Sequence, residues 1–326
     1  MSQPDLHDRS LKVKQLAAET GFDLCGISMA GYMSEEASLL DKWLRQNRQG
    51  QMTWLANHFE KRTDPQNLVE EARTVISLTY NYFPENDIFP PGGYKIARYA
   101  YGQDYHRVIK KKLTGLLEKM RLEFGEIQGR VFVDSAPVLE RQWAARSGLG
   151  WIGKNTLLIN RDKGSYFFLA EIISDLELEP DQRIKDYCGS CTKCLDACPT
   201  QALTPYEIDA RKCISYLTIE LKNEIPAEFK GKYEDWIFGC DICQEVCPWN
   251  RFSKPHHEPA FTPGSFLENL KKKDWEDMTE EDFHSKFEKS ALMRTKFSGM
   301  KRNISFLKSS GKNTPPRGGK KIAENE

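Results

Sequence analysis

The segment CGSCTKCLDACPT, residues 188–200, spaces four cysteines as C-x2-C-x2-C-x3-C and follows the last with proline. The chain has 326 residues and nine cysteines, and all of these except Cys25 fall between positions 188 and 247. Its amino terminus, MSQPDLHDRSLKVKQ, lacks the apolar run of a secretory signal, and no stretch approaches the ~18 apolar residues of a membrane helix. A cytoplasmic location is therefore expected, and there thiols stay reduced and metal ligation is favoured over disulfides. The spacing selects the metal. Zinc sites pair widely separated C-x2-C elements, whereas this run with its proline is that of bacterial ferredoxins, in which three thiolates hold one 4Fe-4S cube and the fourth serves a neighbouring cube.

A second segment, Cys240-x2-Cys243-x3-Cys247-Pro248, repeats the ending of that run but carries Ile237 where a first cysteine would stand. Cys213 is the unassigned cysteine nearby. One cluster is accordingly assigned to Cys188, Cys191, Cys194 and Cys247, and the other to Cys198, Cys213, Cys240 and Cys243. Structural zinc or unligated buried thiols are the competing readings. Cys25, within the apolar run GFDLCGIS, reads as an inert core cysteine.

Two adjacent cubes form a wire, and the rest of the chain must use it. Hydrophobic residues make up 39% and charged residues 29%, with Lys plus Arg equal to Asp plus Glu at 47 each, so any polyanion-binding surface has to be local. Asp8-Arg9-Ser10 is expected to cap a helix carrying Leu11 and Leu16 that stops at Gly21, followed by a strand in FDLCGIS. Further β-rich runs at 74–83, 130–134 and 165–173 alternate with helical stretches such as that containing Leu113, Leu116 and Leu117. The class expected is α+β. Neither G-x-G-x-x-G after a strand nor G-x-x-x-x-G-K-[ST] occurs, so no dinucleotide or NTP site is signalled.

Aromatic and charged residues gather in TWLANHFEKRTDP (53–65), ARYAYGQDYH (97–106) and VDSAPVLERQWAARSGLGWIGKNT (133–156). Asp134 ends an apolar strand before a Ser-Ala-Pro turn, where a partly desolvated carboxyl has a raised pKa and can donate a proton near neutrality. An aspartate there also serves as a helix cap or turn former, and Asp104 and His106 can be a turn residue and a satisfied surface imidazole.

The motifs IARYAYGQDYH (96–106), VDSAPVLERQWAARSGLGWIGKNTLLI (133–159) and FLAEIISDLELEPD (168–181), with the cysteine pattern and its offset Cys213, resemble epoxyqueuosine reductase over nearly the whole chain. That family finishes queuosine in tRNA with cobalamin. The resemblance implies a cobalamin-binding catalytic domain (1–175) of the kind shared with reductive dehalogenases, a double 4Fe-4S ferredoxin-like domain (176–255), a helical basic region (256–310) and a disordered tail (311–326). It also implies Asp134 as proton donor, Asp104 and His106 in the substrate pocket, and Asn57, Asp134, Asn155, Leu158 and Asp241 at or near the corrin. The alternative for Asn155, which follows Gly153-Lys154, is a turn former. Without a D-x-H-x-x-G signature, the cofactor is expected base-off with no protein histidine on cobalt.

Residues 286–312 hold eight lysines and arginines, Lys296, Lys301 and Arg302 among them, against Glu288 alone. This is a candidate tRNA-phosphate patch, which Lys110-Lys111-Lys112 would extend, and its competing reading is a solvated basic face. It follows Thr279-Glu280-Glu281-Asp282, a capping-box start to a helix anchored by Phe283 and Phe287. A monomer is expected, fed by a low-potential donor such as flavodoxin or ferredoxin. The other functions weighed are a respiratory reductive dehalogenase, which usually carries a twin-arginine signal, a simple electron-transfer module, and a scaffold pinned by cubes.

Overall fold

The computed structural model describes residues 5–89 and 92–310. Lys312 and the tail from Gly311 lie outside them. Among the described residues no helix is long and apolar enough to cross a membrane.

Strands β1 (Leu24–Met29), β2 (Thr74–Asn81), β3 (Gly129–Phe132) and β4 (Phe167–Ser174) form an antiparallel sheet in the order β1-β2-β4-β3. On one face lie α1 (Leu6–Glu19) and α2 (Tyr105–Phe124), whose Val13, Leu16, Leu113, Leu116 and Met120 recur at helical spacing and close over Ile76, Leu78, Ala170 and Ile172. On the other lies α3 (Glu140–Arg146), which sets Trp143 against Val75, Phe132 and Ile173. The segregated, all-antiparallel sheet makes the class α+β.

Register carries one row across that second face: Phe132 pairs with Glu171, Glu171 with Ser77, and Ser77 with Gly26. The end of α3 approaches the row so closely that a Cβ on Gly26 would lie 2.1 Å from the Ser147 carbonyl oxygen. The Ser147 hydroxyl sits 3.2 Å from that of Ser28 and 3.3 Å from that of Ser77, satisfying a polar patch that would otherwise be buried unpaired.

Two local expectations are corrected. The first helix starts at Leu6 after Asp5, and Ser10 sits inside it with its hydroxyl donating back to the Leu6 carbonyl at 2.9 Å rather than capping. Leu11 accordingly faces solvent, 52% exposed, while Leu16 is buried. The run 130–134 stops as a strand at Phe132, because Asp134 has φ +53°, which an extended strand cannot accommodate.

The cysteine-bearing region contributes α4 (Lys193–Ala197), α5 (Ile214–Ile219) and α6 (Ile242–Glu245). Its core is shared. Leu217, Tyr233, Trp236 and Phe238 pack with Trp275 and with α7 (Glu280–Phe287) and α8 (Lys296–Ser309). Strand Trp236–Phe238 also pairs in parallel with Lys95–Ile96 of the preceding region. The capping box is present: the Thr279 hydroxyl accepts the Asp282 amide at 3.1 Å and the Asp282 carboxylate accepts the Thr279 amide at 3.4 Å. Phe283 and Phe287 are buried as their spacing demands.

Gly26→Ala is expected to lower stability by about 1–3 kcal/mol in denaturant unfolding, the usual cost of overpacking a closed interface. Gly31→Ala, which would meet nothing within 4 Å, should leave it unchanged.

Candidate active site and cluster-binding cysteines

Cys188, Cys191, Cys194 and Cys247 line one cavity of about 210 Å³, with Lys154, Asn155, Tyr187 and Trp249 around it. The other four form a deeper group in which the charges of Cys198 and Cys213 act on Cys240 or Cys243. Burial raises the thiols of Cys240 and Cys243 well above the ordinary cysteine range, so thiolates persist there only with bound cations. A zinc ion would draw its ligands to about 2.3 Å from one point. Among the described residues no three His, Cys, Asp or Glu side chains gather so tightly. Both assigned ligand sets are thus brought together, Cys247 returning to the first triplet across α4 and α6. Cys25 stays in the core, its thiol pushed up to about 12 by burial.

The second constellation lies where α2 begins. Asp104 is its N-cap, accepting the His106 amide at 3.0 Å and facing His106 Nδ1 at 2.7 Å. The other ring nitrogen, Nε2, lies 3.1 Å from Asp134 Oδ2, to which the Tyr105 hydroxyl also donates at 2.7 Å. Tyr105 is held flat between His106 and Phe168, with ring centroids 4.1 Å from each. Phe168 belongs to β4, so the sheet itself sets the height of the triad. The Asp134 side chain remains 57% exposed, so the end of this chain of contacts is open to solvent.

The electrostatics reverse one expectation. Burial alone would raise the Asp134 carboxyl, but hydrogen bonds from His106 and Tyr105 and the charges of His106 and Arg294 outweigh it and hold the group below the usual carboxylate range. Burial also disfavours the charged imidazole, yet hydrogen bonds to Asp104 and Asp134, with their charges, push His106 up to about 9. The proton expected on Asp134 sits on His106.

The remaining candidates separate by what their side chains already do. Asn57 is exposed. Asn155 is buried beside the cysteines, donating to the Cys243 carbonyl at 3.3 Å and accepting the Leu157 amide, so its turn-forming role is real. Leu158 is sealed against Ala144 and Leu149. Asp241 accepts the Arg98 amide at 2.8 Å and faces its guanidinium at 3.3 Å. Burial pushes that carboxyl up to about 6 against the pull of Arg98. For these three only backbone or edge contact with a cofactor stays open.

Much of the basic stretch is likewise engaged. Arg302 donates to the carbonyls of Leu217, Leu221 and Asn223, pinning α8 to the chain after α5, and this corrects its reading as a free phosphate ligand. Lys301 reaches the Glu276 carbonyl, Lys308 the Glu276 carboxylate, and Lys112 pairs with Glu258 at 3.2 Å. Lys296 is exposed, and among the described residues it and Lys289 have no hydrogen-bonding or ionic partner for their ammonium groups. The stretch also abuts the triad: the Asp104 amide donates to the Lys289 carbonyl at 2.6 Å.

Sequence reasoning missed Tyr105 and Glu140, and it counted Arg294 in the basic patch without placing its charge near Asp134. Tyr105 sits inside the quoted motif, but the stacking that gives it a role depends on Phe168, sixty-odd positions away in β4. Arg294 stands over Trp54, doubly bonded to Glu220 at 2.9 Å.

A proton titration should place the His106 ring near 9, and Asp134→Asn should bring it back towards 6.5. Because the folded pKa lies above the unfolded one, this contribution to stability is complete below about 6.5 and is lost as pH rises through about 9.

The description "4Fe-4S double cluster binding domain" matches residues 187–250, and "Epoxyqueuosine reductase QueG, DUF1730" matches residues 62–135. Epoxyqueuosine reductase of Leadbetterella byssophila is 57% identical over 304 residues, covering 93% of this chain and 99% of the relative. A crystal structure of epoxyqueuosine reductase with a tRNA-Tyr epoxyqueuosine-modified stem loop is 29% identical, with TM-score 0.82 over 95% of this chain and 83% of that one. The Bacillus subtilis epoxyqueuosine reductase with its Asp134 catalytic loop swung out of the active site is also 29% identical, with TM-score 0.82 and coverage of 93% and 82%. The catabolic reductive dehalogenase NpRdhA, 18% identical with TM-score 0.50 over 78% of this chain and 33% of its own, shares the fold alone. The chain belongs to the epoxyqueuosine reductase family.

Proposed function

We propose that this enzyme reduces epoxyqueuosine to queuosine at the wobble position of tRNA, the last step of queuosine formation, with cobalamin as cofactor and two 4Fe-4S clusters relaying electrons from a low-potential donor. The observation that carries the reading is the Asp104–His106–Asp134 chain, open to solvent at Asp134, in a protein with a double-cluster domain and a 57% identical epoxyqueuosine reductase relative. Deoxygenating the epoxide to an alkene consumes two electrons and two protons and releases water. Cobalamin, when bound, supplies a strongly reducing cobalt centre for the carbon–oxygen bond. Asn57 and Asp134, both with exposed side chains, are the candidates that would meet the cofactor.

The chain's own residues handle the protons. Asp134 stands at the solvent-open end as the group that passes a proton to the departing oxygen. His106, protonated at neutrality, refills it through the Nε2–Oδ2 contact, and Asp104 orients the ring from the other side. Tyr105 keeps Asp134 Oδ2 aimed at this pair. Two interleaved quartets of thiols continue as a path for electrons, one set lining the cavity and the other reaching towards Phe238, Tyr99 and Tyr105. The main-chain bond between Asp104 and Lys289 sets the basic helical segment at the rim, where an anticodon stem would lie.

Anaerobically purified protein should contain about eight irons per chain and, given cobalamin and a low-potential reductant, convert an epoxyqueuosine-bearing stem-loop to queuosine by mass spectrometry. No product with both cubes and cobalamin present overturns the reading. Asp134→Asn should keep both cubes and cobalamin while turnover falls at least about 100-fold, the scale of a lost proton donor.

Affinity for the stem-loop should fall with salt by about 0.9 log unit per phosphate contact per tenfold rise. Lys289→Ala and Lys296→Ala should each flatten that slope. Arg302→Ala should leave the slope unchanged and cost about 1–3 kcal/mol of stability, because it leaves carbonyls without a donor.

A further inference from the structure

Beneath the Asp134 loop lies a group that the proton chain does not use. Glu171 points from β4 into the face covered by α3 and is 0% exposed, with neither carboxyl oxygen meeting a hydrogen-bond donor. The ionisable group acting on it is Glu140, the first residue of α3. Glu140 in turn accepts the backbone amide of Asp134. That amide belongs to a residue at φ +53°, a left-handed conformation that a non-glycine residue holds only when its surroundings impose it. Arg141, the neighbour of Glu140 on α3, donates to the Thr156 carbonyl at 2.7 Å, and its charge and that of His106 only partly offset the burial of Glu140. Two carboxylates cannot both be ionised in such a place, so a proton must remain between them.

We propose that Glu140, backed by the fully buried Glu171, is a positioning residue for Asp134: a carboxyl pair that retains a proton and, by gripping the Asp134 amide, fixes the acid's carboxyl towards the substrate. This rests on the reading of Asp134 as proton donor. Among the described residues Glu140 is the partner for the O–H of an acid-form Glu171, and Glu140 passes that constraint to the loop. Tyr105 and His106 then receive Asp134 Oδ2 at a fixed place. The groups facing Glu140 are Asp134 from the loop, Tyr105 and His106 from α2, Glu171 from β4 and Arg141 from its own helix. Burial and the Asp134 charge push Glu140 up to about 8. Raising the pH through that value sets a second carboxylate against ionised Asp134 and repels it from its inward position. Activity should therefore decline through about 8, ahead of the loss of the His106 proton near 9.

The test uses the holoenzyme and the epoxyqueuosine stem-loop, with iron content and bound cobalamin measured in every variant. Glu140→Ala should lower kcat at least about 10-fold and leave KM within about 3-fold, since a small misplacement of a catalytic group is enough for such a loss. Glu140→Gln, whose amide oxygen still accepts the Asp134 N–H, should restore kcat to within about 3-fold at pH 7 and move the alkaline decline from about 8 to about 9. Glu171→Gln, able to donate to Glu140, should keep kcat and the fold. Wild-type kcat in Glu140→Ala, equal impairment of Glu140→Ala and Glu140→Gln, or an unmoved alkaline decline in Glu140→Gln would each overturn the proposal. Asp134→Asn separates the two ideas. If it retains wild-type turnover, the reading of Asp134 fails, and if it is inactive while both Glu140 variants match wild type at every pH, the positioning role alone fails.

Discussion

The fold depends on bringing Cys247 back to the triplet Cys188, Cys191 and Cys194. Thiols that far apart in sequence are gathered only by closing the intervening chain on itself, and the energy of cluster ligation offsets the entropy of that closure. The closed segment is also where the remaining structure attaches. Asp241, adjacent to Cys240, takes both the amide and the guanidinium of Arg98, and Asn155 reaches the carbonyl of Cys243. Because Arg98 precedes the loop to Asp104, and Asn155 follows α3, the clusters and the proton chain are tied through two short polar bridges. Each bridge is buried and satisfied, which makes the relative placement specific rather than approximate.

Within the Asp104–His106–Asp134 chain, neighbouring charges decide where a proton resides more than burial does. Enclosure pushes Asp134 and His106 towards their neutral forms, yet with Asp104 on one ring nitrogen and Asp134 on the other the imidazolium is the favoured resident. A carboxylate that regains its proton from an imidazolium need not carry a raised pKa of its own. For a group in that proposed role, geometry matters most. The flat packing of Tyr105 on Phe168, with the planes 9° apart, supplies that geometry from the sheet.

That Cys247 would lie with Cys188, Cys191 and Cys194 was legible because ligand spacing is a local property with a strict chemical requirement. The amphipathic helix carrying Leu113 and Leu116 and the capping box at Thr279 were legible for the same reason. What escaped is what depends on partners distant in sequence. The state of Asp134 could not be read without knowing that α2 delivers His106 to it, and Glu171 looked like one more residue of an apolar strand until register set it under Glu140. Arg302 was misjudged because charge was counted without asking whether carbonyls from Leu217 to Asn223 would use it up. A run of cations in sequence measures available charge only after internal pairing is subtracted.

The seam between the α2 entrance and the carboxy-terminal helices is stitched by main-chain atoms: the Gln103 amide to the Ala260 carbonyl at 2.7 Å and the Asp104 amide to the Lys289 carbonyl. Gly102 lies so near that seam that a Cβ there would meet the Ala260 carbonyl oxygen at 2.4 Å. Such ties ignore side-chain identity. The outer faces of the helices can therefore exchange residues while the wall they present to the Asp104–His106–Asp134 chain keeps its alignment.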